Sequence, residues 1–186
     1  MPPRSLAFYL DVISTGTVLG ARPTDSPERV TGILGPDYAE NSAGDGSMWR
    51  DYGMVEFSWQ RDGAGRPWAG HHFTLQVHRL ARSGGGGKDV NEVIRARYGR
   101  FARHVRFSTL RQRLEKRGAA LLEIPGYAGN APYYRTYWQP DSLVSVTVIA
   151  ARGEYSTPER ARIGDVYTIG SPVTAEEVAS QQVRSR

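Results

Sequence analysis

Three stretches of this chain alternate strictly between apolar and polar residues. Val55, Phe57 and Trp59 are interleaved with Glu56, Ser58 and Gln60; Phe73, Leu75 and Val77 with Thr74, Gln76 and His78; Val144, Val146 and Val148 with Ser145 and Thr147. Successive side chains of a strand point to opposite faces, so each stretch reads as a strand with one apolar side. A sheet of such strands must bury that side under a second layer. The layer available here is helical. Ser26-Pro27-Glu28 supplies an N-cap, a first-turn Pro and an acid at the positive helix end, and Gly35-Pro36 stops the run, which predicts a helix over 27–34. Asp89-x-x-Glu92 resembles a capping box, and Ser108 opens a segment with Leu110 and Leu114 on one stripe before Gly118. Leu6 to Ile13 is compatible with either a strand or a short buried helix.

The expected fold class is therefore α+β, with two helix-plus-antiparallel-sheet halves over residues 1–82 and 89–186. The Gly-rich run 83–88 links them. Each half has a capped helix followed by strands: MWRDYG, MVEFSWQR and HHFTLQVHRL in the first, AALLEI, YYRTYWQ and LVSVTVIA in the second. The shared order suggests a divergent tandem repeat, although residue identity between the halves is slight. Residues 41–47 read as a loop. The tail reads as a strand over VYTI and a helix opened by Thr174-x-x-Glu177. The expected core is Val55, Phe57, Trp59, Phe73, Leu75, Val77, Leu110, Leu114, Val144, Val146 and Val148.

Composition removes several function classes. With no Cys among 186 residues, disulfides, zinc–thiolate sites, iron–sulfur clusters and thiol catalysis are excluded together. Asp11 interrupts the short N-terminal apolar run, no membrane span is present, and the expectation is a soluble, cytoplasmic protein. His71, His72 and His78 cluster in sequence, but on a strand His72 and His78 lie about 20 Å apart and His71 faces the other way. No metal site and no cofactor is expected. GGGGK at 84–88 fails the phosphate-loop spacing, because Arg82 and Asp89 stand where Gly and Ser or Thr are required. No nucleophile elbow, metalloprotease helix or dinucleotide fingerprint occurs, so an enzyme would have to act without a recognisable motif.

Two patterns remain as candidate sites. In YYRTYWQ, Tyr133, Arg135 and Tyr137 alternate with Tyr134, Thr136 and Trp138. If Tyr134 and Trp138 join the apolar row, then Tyr133, Arg135 and Tyr137 are exposed, beside Ser145 and Thr147. Glu56, Gln76 and His78 take the corresponding outer positions in the first half. Tyr and Arg among small polar residues suit the binding of another protein. The second pattern is the run 95–117, where eight Arg and Lys116 stand against Glu115 alone, in a chain of net charge +5. Arg95, Arg97, Arg100, Arg103 and Arg106 are its candidate polyanion contacts, and nucleic acid is the alternative partner.

LGARPTDSPERVTGILGP followed by WRDYGMVEFSW resembles the helix-plus-sheet unit of the SmpA/OmlA outer-membrane assembly proteins and of the secreted β-lactamase-inhibitor protein. The whole chain also resembles the small immunity proteins of bacterial polymorphic-toxin loci. These resemblances imply a non-catalytic immunity or inhibitor protein that blocks a partner such as a toxin or an enzyme through a sheet face. The inhibitor is secreted and disulfide-bonded, whereas no secretion signal is expected for this chain and its sequence has no Cys. Its basic charge argues against a basic nuclease as the target.

Overall fold

A computed structural model describes residues 4–82, 89–126, 130–153 and 159–184. The expected linker 83–88 lies outside the described residues. Eight strands form one antiparallel sheet in the order β1-β2-β3-β4-β8-β7-β6-β5. β1 (Ala39–Ala43), β2 (Ser47–Asp51), β3 (Val55–Gln60) and β4 (Ala69–Leu75) make one meander. β5 (Leu122–Ile124), β6 (Tyr134–Gln139), β7 (Val144–Ile149) and β8 (Val166–Ser171) make the other. Thus the fold is α+β. Each half keeps its strands together, but the two sheets expected are one. β4 and β8 pair antiparallel through Phe73–Ser171, Thr74–Gly170 and Leu75–Ile169. Pairing the last strand of each meander removes two edges whose N–H and C=O groups would otherwise lack partners. Topologically β4 corresponds to β8, one strand later than the sequence comparison of the halves suggests.

The helices are α1 (Arg4–Thr15), α2 (Pro27–Leu34), α3 (Arg79–Arg82), α4 (Glu92–Tyr98), α5 (Phe107–Lys116) and α6 (Ala175–Arg184). α1 resolves the ambiguity at Leu6–Ile13 in favour of helix, and Phe8, Tyr9, Val12 and Ile13 on it are buried. α2 has the expected bounds, with the Arg29 amide donating to Ser26 Oγ and Gly35 closing the helix. α6 carries the reciprocal capping box: the Glu177 amide donates to Thr174 Oγ1 and the Thr174 amide to Glu177 Oε2.

Several local expectations are corrected. α4 is capped by Asn91, whose Oδ1 accepts from the Val93 and Ile94 amides, and not by Asp89. α5 begins one residue before Ser108, with Phe107 buried as its first residue and no side-chain cap. Residues 39–43, in part read as loop, form the exposed edge strand β1. The strand through Val77 and His78 stops at Leu75, after which the chain turns into α3.

All eleven expected core residues are buried. The apolar face of β3, β4, β7 and β8 meets α1, α2, α4 and α5 in one continuous core. The opposite face carries a second, small cluster in which Ile124 and Trp138 meet Val178 of α6.

Candidate functional site

With helices on one side of the sheet, attention passes to the other. Register places Ser58 opposite His72, Thr74 opposite Gly170, Gly170 opposite Ser145, and Thr168 opposite Thr147, which faces Thr136. These eight residues on five adjacent strands share the face turned away from the main core, and all are partly exposed. None is formally charged and none is long, in a chain of which 23% is charged. Thr74 and Thr147 each sit between larger apolar neighbours that face the core, in Phe73-Thr74-Leu75 and Val146-Thr147-Val148. That apolar-Thr-apolar triplet is the sequence signal for the patch.

Charge and rings lie at its rim. Arg79 Nη1 donates to Asp51 Oδ2 at 2.8 Å, Arg79 Nη2 pairs with Glu56, and Gln76 Nε2 donates to Glu56 Oε2 at 2.9 Å. At the other end of the same side the His78 ring stacks on Tyr167 at 4.3 Å, and Tyr167 lies 4.7 Å from Tyr134. Burial holds the His78 imidazole below its ordinary pKa, as it does His72, which His71 also disfavours as a cation. Trp49, half-buried beside Ser58, completes the rim.

Glu56, Gln76 and His78 are thus brought to the rim of this patch. Tyr133, Arg135 and Tyr137 do not join them. Tyr137 is opposite Val146, which assigns it to the apolar face, and it is buried against Phe107 with ring centroids 4.2 Å apart. Arg135, opposite Val148, shares Tyr137's side at the margin of the sheet and lies 3.7 Å from Glu123. Tyr133 precedes β6, and its carbonyl accepts from the Ala150 and Ala151 amides. The alternation expected for β6 is therefore reversed. Tyr134, Thr136 and Trp138 take the outer side, but Trp138 is covered by α6 and its Nε1 donates to the Val173 carbonyl at 2.8 Å.

The basic run 95–117 divides between α4, a connecting segment and α5, and acids from outside the run reach into it. Asp11 accepts from Arg117 and from the Tyr98 hydroxyl, and Asp165 accepts from Arg106 Nη1 at 2.8 Å. Arg97, Arg100 and Arg103 are exposed, while Arg95 is partly buried. Among the described residues no group of three His, Asp or Glu side chains is arranged to hold a metal ion. Among them, too, no helix is long and apolar enough to cross a membrane. No family model, curated protein or solved structure matches this chain.

Proposed function

We propose that this protein is a non-catalytic binding module, acting in the bacterial cytoplasm as an immunity or inhibitor protein that grips and blocks another protein. The observation that carries this reading is the patch of short, uncharged polar residues across β3, β4, β8, β7 and β6. A sheet face made only for solvent usually carries long charged side chains, whereas the centre of a protein interface is depleted in charge and admits close approach. Trp49 at the rim and His72 within the patch, on either side of Ser58, are its larger groups and the best candidates for anchors.

The reading is tested with the partner bound to the full chain. Ser145→Lys and Thr147→Arg place a charge in the middle of the patch on side chains that already meet solvent. Each should weaken binding at least tenfold with the melting temperature nearly unchanged, since surface substitutions usually shift stability by about 0.5 kcal/mol or less. Gln112→Lys on the exposed side of α5 is the control and should bind as wild type. Wild-type binding by both patch variants would move the interface elsewhere.

A further inference from the structure

The helical side of the molecule holds a separate pocket of about 180 Å³ between α1 and residues 102–109. Leu6, Tyr9 and Val105 supply apolar wall, and His104, Arg106 and Thr109 also line it. The two ring nitrogens of His104 are not equivalent. Nδ1 lies 2.8 Å from Asp165 Oδ2, and this carboxylate, with 4% of its side chain exposed, also accepts from Arg106 Nη1 and from the Arg162 amide. A carboxylate surrounded by donors acts as acceptor, so Nδ1 carries a proton, and in the neutral ring Nε2 is the acceptor. Nε2 has no partner among the described residues.

Arg106 is half-tethered. Its Nη1 donates to Asp165 Oδ1 and to the Ile163 carbonyl, while half of the side chain is exposed and Nε and Nη2 have no partner among the described residues. The sequence around it adds to the positive field. No acid occurs between Glu92 and Glu115, and Arg100 and Arg103 are exposed just before it. The pocket thus combines an apolar wall, a cation at its edge and one fixed acceptor. We propose that it binds the carboxylate end of an N-acylated apolar amino acid. The side chain enters between Leu6, Tyr9 and Val105, the carboxylate meets Arg106, and the amide N–H donates to His104 Nε2. Two sources share this chemistry: a free acylated amino acid, and the C-terminal residue of a polypeptide. The site is on the helical side of the sheet and does not depend on the open-face reading above.

The test uses the full chain and N-acetyl-phenylalanine, followed through the Leu6 and Val105 methyl resonances. Saturable shifts are expected, with at least tenfold weaker binding of N-acetyl-phenylalaninamide, which keeps the ring and the acyl N–H but lacks the charge. Thr109→Trp, at an exposed position on the first turn of α5, should fill the pocket and abolish the shifts while the melting temperature stays close to wild type. Arg106→Gln should lose about tenfold, and because Arg106 also anchors Asp165, the amide control decides the matter if that variant is unstable. A hexapeptide ending in Phe that binds at least tenfold tighter than N-acetyl-phenylalanine identifies a polypeptide terminus as the source; equal affinity identifies the free acid. Equal binding of acid and amide, or no saturable shift at Leu6 and Val105, overturns the proposal.

Discussion

Tyr137 of β6 and Phe107 of α5 lie ring to ring, with centroids 4.2 Å apart and planes inclined by 31°. Both are buried, and Tyr137 is opposite Val146 in the sheet, so the pair joins the start of α5 to the apolar face of the second meander. Arg111, one turn further along α5, lies 5.9 Å from the Tyr137 ring centroid. This contact docks a helix that has no side-chain cap of its own.

Tyr137→Ala should accordingly cost about 3 kcal/mol or more of folding stability, the range for emptying a large aromatic site. Urea unfolding with an unchanged m-value measures it. A loss under about 1 kcal/mol would mean that α5 is not held by this ring.

Gly70 is the place where the sheet meets the turn before α2. A Cβ there would stand 2.7 Å from Thr24 Cα and closer still to the Pro23 carbonyl oxygen. The neighbouring Trp59 Nε1 donates to the Asp25 carbonyl at 2.8 Å, so the turn cannot retreat without stretching that bond. Gly70→Ala is expected to destabilise by about 1–3 kcal/mol, as overpacking does. Gly20→Ala, at a position with open space around the added methyl but positive φ, separates the two effects in the same thermal melt: it carries backbone strain alone.

His72 and His78 both have folded-state pKa values below the ordinary 6.5, with burial as the largest cause. The unfolded chain therefore takes up protons near pH 6.5 that the folded chain still refuses. Stability is full above that pH and declines as pH falls below it toward the depressed folded values. Measured from pH 7.5 to 5.5, about one unit either side of the ordinary histidine value, the double variant His72→Gln, His78→Gln should flatten the slope of unfolding free energy against pH. A wild-type slope of the opposite sign would remove both histidines from the account.

The basic run supports only a limited polyanion footprint. Arg117 pairs with Asp11, Arg111 with Glu115 and one arm of Arg106 with Asp165, which leaves Arg97, Arg100, Arg103, Arg113 and Lys116 exposed without a salt bridge among the described residues. Each phosphate contact contributes about 0.9 to the slope of log affinity against log salt. Duplex binding, measured by fluorescence anisotropy, is therefore expected to show a slope no steeper than about 5 and to be weak at about 150 mM salt. A steeper slope with tight binding would put nucleic acid ahead of protein as the partner.

Much of the fold was legible from local chemistry. The alternations at Val55–Trp59 and Val144–Val148, the Ser26 cap with Pro27, and the Thr174–Glu177 box each act within a few residues of themselves, so the sequence states them directly. The buried rows and the bounds of α2 follow from these signals alone. β6 is different. YYRTYWQ is aromatic on both sides, so its hydrophobic pattern is nearly indifferent to which side faces inward, and a slip of one residue exchanges the two. Its orientation was decided by partners distant in sequence: Val146 across the ladder and Phe107 on α5 for Tyr137, and α6 for Trp138. The pairing of β4 with β8, which makes one sheet of two meanders, is likewise a contact between strand edges about a hundred residues apart, and no periodicity within either strand encodes it. The candidate sites lie on the same divide. Glu56, Gln76 and His78 could be placed by alternation, but the uncharged patch exists only because five strands align their short residues in register. The His104–Asp165–Arg106 group exists only because the segment before α5 packs against the start of β8.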